Sequence, residues 1–294
     1  MRPAWSVILL TTLIGAGQGL FLAIFALGAP YAFVAFGCVV SVLLLVAGLI
    51  ASVFHLGRPS RGWRAASQWR TSWLSREVIV LPAFTAAVVA YGATGNDWIG
   101  ALAVVLCLAL FVCTAMIYAC LKFLQEWHSP LTLINYLLLG LASGCLLAVV
   151  LAAYLLPAAA PGLARVALLL GAAAWLSRGA SLWRNARLRA RSSTASAIGV
   201  QKKRVVQISQ GFTGRSFNTL EFFHQRPALL VRAVRWIFLL LIFPVPGWLL
   251  ACGSGTLDTY LAAFLLQFAG LLAERWYFFA EAKHPQNLYY QAMA

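Results

Sequence analysis

Residues 131–155 read LTLINYLLLGLASGCLLAVVLAAYL, a run of 25 residues with no charged side chain. A helix needs about 20 mostly apolar residues to cross the hydrocarbon core of a bilayer. The run is therefore predicted to be a transmembrane helix, and it gives the criterion for finding others.

Seven more segments satisfy that criterion, four before this one and three after it. Their approximate limits are 5–27, 33–54, 77–93, 99–121, 163–181, 229–251 and 257–277. No alternation of apolar and polar residues runs through them, so a transmembrane β-barrel is not expected. The sequence predicts an all-α polytopic membrane protein: a bundle of eight transmembrane helices in a single integral membrane domain over residues 1–294.

The composition agrees with a membrane protein. Hydrophobic residues make up 62% of the chain and charged residues 10%, and the mean hydropathy is +0.85. A soluble domain usually has about 25% charged residues, so lipid is the better solvent for this chain. The first segment is longer than the apolar region of a signal peptide, which predicts an uncleaved first helix.

The positive charge lies almost entirely on one side of the predicted bundle. With eight helices, 21 of the 22 Lys and Arg residues fall in loops or at helix ends on the same side, and only Arg165 falls on the other. Basic loops remain cytoplasmic, so both termini are predicted to be cytoplasmic, in a bacterial inner membrane. Because the charges separate apolar blocks, they indicate topology and not nucleic-acid binding.

The longest basic loop, residues 182–227, connects helices 6 and 7. It has nine basic residues and one acidic residue, whereas the short connections on the opposite side carry Asp97 and Asp258. On charge alone, the loop is either a solvated loop or a docking face for a partner protein or for anionic lipid.

Sites for metals and haem are not indicated by the sequence. The six cysteines lie in apolar segments and none forms a Cys-x-x-Cys pair, so neither an iron–sulfur nor a zinc site is predicted. A membrane cytochrome holds haem with histidines inside its spans, and none of the four histidines lies there. Charged residues are nearly absent from the middle of the predicted spans, which argues against a proton pump.

The segment 54–77, FHLGRPSRGWRAASQWRTSWLSRE, joins helices 2 and 3 on the basic side. It is either an ordinary interfacial loop with tryptophan anchors or a site for a quinone head group. Imidazole can accept the protons of a quinol, and Arg side chains can donate hydrogen bonds to quinone carbonyls. The candidate quinone-binding residues are His55, Arg58, Arg70, Arg76 and Glu77.

Three short motifs give the chain a resemblance to a known family. They are FHLGRP at 54–59 with SRE at 75–77, TGRSFNT at 213–219, and AERWYFF at 273–279. On these motifs the chain resembles the membrane anchor subunits of dimethyl sulfoxide reductase-type molybdenum oxidoreductases. It is most similar to the branch that serves cytoplasmic sulfite dehydrogenases, which are sulfite:quinone oxidoreductases.

The resemblance implies an eight-helix anchor without haem, whose partners are a molybdopterin catalytic subunit and an iron–sulfur subunit. It implies electron exchange between the iron–sulfur subunit and a membrane quinone, ubiquinone or menaquinone, with His55 at the quinone site. Such a chain is not itself catalytic for the sulfur substrate. The basic residues predicted to dock the partner are Arg61, Arg64, Arg215, Arg226 and Arg275.

Three functions remain open at this point. The first is quinone reduction during sulfite oxidation, which fits catalytic partners on a basic, cytoplasmic side. The second is the same anchor in a dimethyl sulfoxide reductase, where it would oxidise menaquinol. The third is a transporter or a structural scaffold, although a transporter is expected to have broken helices or polar groups at mid-membrane and the sequence shows few.

Overall fold

The computed structural model describes residues 1–54, 57–200, 205–206, 208 and 217–289. In that part of the chain the regular structure is helical, without strands. The α-helices are α1 Trp5–Leu27, α2 Tyr31–Val53, α3 Trp73–Thr94, α4 Asp97–Ala119, α5 Pro130–Leu155, α6 Ala160–Ala186, α7 Thr194–Ile198, α8 Phe217–Glu221, α9 Ala228–Leu241, α10 Pro244–Cys252 and α11 Leu257–Glu281. Three short 3₁₀ helices cover Pro59–Gln68, Pro157–Ala159 and Pro285–Leu288.

Eight helical segments of the described chain are long and apolar enough to span a membrane. They are α1 to α6, the pair α9 and α10 taken together, and α11. The prediction of an all-α protein with eight candidate spans is confirmed.

The helices extend further than their apolar segments. α3 begins at Trp73 because the Ser72 side chain accepts a hydrogen bond from the Ser75 backbone N–H and so caps the helix. α6 continues to Ala186 and α11 to Glu281, past the predicted ends at 181 and 277. These extra turns carry polar and charged residues into the bundle.

The centre of the bundle is α5, which contacts α1, α4, α6 and α11. Glycines allow the closest approach, since a Cβ added to Gly19 of α1 or to Gly144 of α5 would overlap backbone atoms of the opposite helix. Small residues at such crossings let membrane helices pack through van der Waals contact. The position of α5 is therefore fixed closely against α1.

The seventh span is broken between α9 and α10, just before Pro244. Proline cannot continue the hydrogen-bond pattern of the preceding turn. The Trp175 indole N–H donates to the Leu239 carbonyl at 2.9 Å, and the Gln267 amide donates to the Ile242 carbonyl at 3.2 Å. Neighbouring helices thus satisfy carbonyls at the break, as required in a membrane interior.

Both chain termini lie on one face of the bundle, because the Met1 amino group donates to the Ala282 carbonyl at 2.7 Å. The same face carries the connections 54–72, 120–129 and 187–227 and the segment 282–289, which hold most of the basic residues. We call it the basic face.

Candidate functional site

The connection between α2 and α3 is folded tightly onto the start of α3. Arg76 donates from Nε to the Trp69 carbonyl at 2.9 Å and from Nη2 to the Arg70 carbonyl at 2.8 Å. Its guanidinium also lies 4.2 Å from the centre of the Trp73 ring. Arg76 therefore fixes the segment in place, and Glu77, the next residue, points into the bundle.

Glu77 is 6% exposed. Thr114 of α4 donates a hydrogen bond to its Oε1 at 2.5 Å. Among the described residues, Glu77 takes part in no ion pair. A buried carboxylate without a cationic partner can exchange a proton, which gives this position chemical capacity beyond a helix contact.

An apolar groove of about 440 Å³ runs between α2 and α3 beside Glu77. Its walls include Leu49, six residues before His55, and Pro82, five residues after Glu77. The complete lining is Leu45, Val46, Leu49, Pro82, Thr85, Ala86, Val89 and Ala90. An extended hydrocarbon chain fits the chemistry of this lining.

The remaining predicted quinone-site residues are placed differently. Arg58 and Arg70 lie exposed on the segment 57–72. His55 lies outside the described residues. The structure therefore brings Arg70, Arg76 and Glu77 together at the start of α3, while His55 is related to them by sequence alone.

The predicted docking residues fall into three groups. Arg61, Arg64 and Arg226 are exposed on the basic face, and Arg215 lies outside the described residues. Arg275, however, is 4% exposed. Its guanidinium is engaged by Glu274 and lies 3.8 Å from the Tyr136 ring centre, so it is not retained as a docking residue.

A buried charge network, formed by Arg178, Glu274, Arg275 and Glu281, joins α6 to α11. Arg178 Nε lies 2.7 Å from Glu274 Oε1, Arg178 Nη2 lies 3.7 Å from Glu281 Oε2, and Arg275 Nη1 lies 3.2 Å from Glu274 Oε2. Arg178 is 2% exposed and Glu274 is 1% exposed. The two positive and two negative side chains balance, which a buried group of charges requires.

The sequence analysis missed this network. It predicted few charges within the spans, but Glu274 lies seven residues before the end of α11, or about 10 Å along the helix axis. Arg178 lies a similar distance inside α6. A sequence signal existed: Arg178, Glu274 and Glu281 carry both signs at the ends of apolar segments on the same face.

A tyrosine pair, Tyr118 of α4 and Tyr136 of α5, lies next to the network. The two rings are stacked with centroids 5.7 Å apart. Both side chains are buried, and the Tyr136 hydroxyl has no hydrogen-bond partner among the described residues. Tyr118 is one helical turn from Thr114, the donor to Glu77.

The basic face is closed by contacts between distant segments. His284 stacks on Phe222 with ring centroids 3.8 Å apart and accepts the Gln286 backbone N–H on Nδ1 at 3.2 Å. The Arg2 backbone N–H donates to the Glu221 carbonyl at 3.0 Å. Burial lowers the pKa of both His224 and His284, and it lowers the pKa of the Met1 amino group to about 6.

Comparisons with known proteins cover the whole bundle. A family model described as DMSO reductase anchor subunit (DmsC) matches residues 1–281. The chain is also 51% identical to a sulfite dehydrogenase subunit of Allochromatium vinosum over 326 aligned residues, which cover 100% of both chains. Both matches include the start of α3, the tyrosine pair and the buried charge network.

Proposed function

The chain belongs to the family of DMSO reductase anchor subunits, and from that membership we propose that it is the quinone-reactive membrane anchor of a sulfite-oxidising molybdenum enzyme. A molybdopterin subunit oxidises sulfite, and an iron–sulfur subunit delivers the electrons to this chain. The chain passes them to ubiquinone or menaquinone in the membrane and does no chemistry on sulfite itself.

Glu77 is the observation that carries the proposal. Its buried carboxylate lies where the basic face meets the apolar groove between α2 and α3. A quinone needs such a junction, because its head group is polar and exchanges protons while its tail is hydrocarbon. We propose that the tail lies in the groove and that Glu77, His55 and the Arg side chains of the segment surround the head group.

The orientation follows from the charges. Basic loops remain cytoplasmic, so we propose that the termini, the basic face and the partner subunits are all cytoplasmic, in a bacterial inner membrane. The iron–sulfur subunit would dock on the exposed Arg61, Arg64 and Arg226, with Arg215 added from the sequence. The basic residues of the 182–227 loop would also contact anionic lipid.

The second candidate is the same anchor in a dimethyl sulfoxide reductase, where it would oxidise menaquinol at the same site. The description of the matching family favours it, whereas the 51% identical relative favours sulfite. A transporter has less support. Carbonyls at the break in the seventh span are bonded by Trp175 and Gln267, whereas a transported ion or substrate would need free groups there.

The test is His55→Ala in the purified complex, with His128→Ala as the matched control. His128 lies on the same face, where its Nδ1 contacts the Ala119 carbonyl. We expect His55→Ala to lower sulfite-dependent quinone reduction by about a hundredfold, while sulfite oxidation with an artificial dye and the molybdenum and iron contents stay normal. Equal quinone reduction in the two variants would remove His55 from the site.

Purification of the unmodified complex separates the candidate functions. Molybdenum and iron with sulfite-dependent quinone reduction support the sulfite enzyme. The same metals with menaquinol-dependent dimethyl sulfoxide reduction support the reductase. A preparation without metals or partner subunits would contradict both and favour a transporter or scaffold.

A further inference from the structure

We propose that the buried charge network and the tyrosine pair form a proton-uptake route from the basic face to Glu77. This inference rests on the proposed function, because it supplies protons to the quinone reduced there. It assigns a role to buried residues 118, 136, 274 and 281, which neither the quinone site nor the docking surface uses.

The outer half of the route lies between α6 and α11. Glu281 is the last residue of α11, and its side chain is 15% exposed. The guanidinium of Arg178 contacts both Glu281, at 3.7 Å, and Glu274, at 2.7 Å, so the two carboxylates lie close to one another. A proton taken from water by Glu281 therefore has a second carboxylate within reach, deeper in the bundle.

The inner half leads sideways from Glu274 to α4. Arg275 lies between Glu274, at 3.2 Å, and the Tyr136 ring, at 3.8 Å. Tyr136 stacks on Tyr118. Tyr118 is on the same face of α4 as Thr114, four residues away, and Thr114 donates to Glu77.

Two features argue against a purely structural role. Burying charges costs more than their attraction returns unless the geometry is excellent, and here Arg178 and Arg275 share one Glu274 carboxylate. The Tyr136 hydroxyl is buried with no hydrogen-bond partner among the described residues. Such a group calls for a further partner, and we assign that partner to water in the route.

The proton balance is complete. Reduction of one quinone to a quinol takes two electrons, which come from the iron–sulfur partner, and two protons, which form the two O–H bonds. Each proton leaves cytoplasmic water, passes over the carboxylates, phenol hydroxyls and intervening water, and reaches a quinone oxygen through Glu77. Guanidinium groups do not lose their protons in proteins, so Arg178 and Arg275 are positioning residues.

Tyr136→Phe tests the route, because it removes a hydroxyl that no described residue binds and leaves the ring stacking intact. Tyr91→Phe is the matched control, since Tyr91 is equally buried but lies near the other end of α3. In the purified complex we expect Tyr136→Phe to slow quinone reduction by about tenfold. We also expect its rate ratio between H₂O and D₂O to rise above that of the wild type, because proton uptake becomes limiting.

Glu281→Gln supplies a second measurement in case Tyr136→Phe does not assemble, since Glu281 is at the outer end of the route. It should show the same slowing and the same rise in isotope effect, while dye-linked activity and the KM for quinone stay unchanged. Wild-type rates and isotope effects in the variants that assemble would overturn the route.

The two proposals fail in different ways. If the wild-type complex reduces no quinone, the proposed function fails and the route fails with it. If Glu77→Gln blocks quinone reduction but Tyr136→Phe and Glu281→Gln do not slow it, the function stands and the route is wrong.

Discussion

Glu77 lies one turn inside α3, where its Oε1 accepts the Thr114 hydroxyl. Glu77→Gln keeps the size and an oxygen acceptor but cannot take up a proton. We therefore expect the complex to assemble and quinone-linked turnover to fall by about a hundredfold. The measurement is the ratio of quinone-linked to dye-linked activity.

The control for that variant is Glu126→Gln, because Glu126 is a half-buried carboxylate on the same face in the connection between α4 and α5. It should keep the wild-type ratio. A ratio that falls equally in both variants would mean that Glu77 has no special part in the reaction.

Single residues also show where sequence reasoning stopped. Glu77 was predicted as a functional residue because it opens a helix beside several Arg side chains, and the structure places it buried next to the apolar groove. Arg275 was predicted to face a partner, but it is paired with Glu274 inside the bundle. Linear sequence gives the charge of a residue near a helix end, whereas the helix phase and the neighbouring helices decide which way it points.

At the scale of elements, apolar length predicted the spans well and their ends poorly. α6 and α11 continue beyond the last apolar residues because Arg178, Glu274 and Glu281 neutralise one another across the interface. The break between α9 and α10 was also missed, since apolar residues continue through Pro244. Pairing between helices is a tertiary property, so a hydropathy window cannot register it.

The α1–α5 crossing gives a prediction at this scale. Gly144→Ala would put a Cβ into the α1 backbone, so we expect a loss of about 1–3 kcal/mol in stability and a lower thermal midpoint in detergent. Gly162→Ala is the control, because nothing lies within 4 Å of a Cβ there and a helical Gly→Ala change is usually stabilising. Equal midpoints in the two variants would contradict the close crossing.

At the scale of the whole molecule, charge distribution predicted that both termini lie on one face, and the Met1–Ala282 contact agrees with it. The three motifs predicted the family, which the full-length matches confirm. Which side of the membrane that face occupies stays a prediction, because a helix bundle packs in the same way in either orientation.

Cysteine labelling of intact cells with a membrane-impermeant reagent decides the orientation. Trp63→Cys on the basic face and Trp98→Cys on the opposite face both replace exposed side chains. Each is made in a chain whose exposed Cys120 and Cys252 are replaced by Ser, so that the native thiols give no background. We expect labelling of Trp98→Cys alone, and labelling of Trp63→Cys alone would reverse the orientation.

Closure of the basic face is expected to depend on pH. His224 and His284 have lowered pKa values because burial disfavours their charged forms, and the nearby Met1 amino group lowers both further, as Arg226 does for His224. The folded state thus prefers neutral imidazoles. Their contribution to stability is complete above the ordinary histidine pKa of about 6.5 and is lost as the pH falls through the lowered folded-state values.

Hydrogen exchange between about pH 8 and about pH 5.5, corrected for the intrinsic rate, measures this closure. Protection in segments 217–224 and 282–289 should fall at the lower pH, since protonation of His284 disfavours its buried stack with Phe222. The control is segment 156–162 on the opposite face, which has no titratable side chain and should keep its protection. If protection of the two basic-face segments is also unchanged, the imidazoles do not control the closure, and the Arg2–Glu221 and Met1–Ala282 contacts hold the face together at either pH.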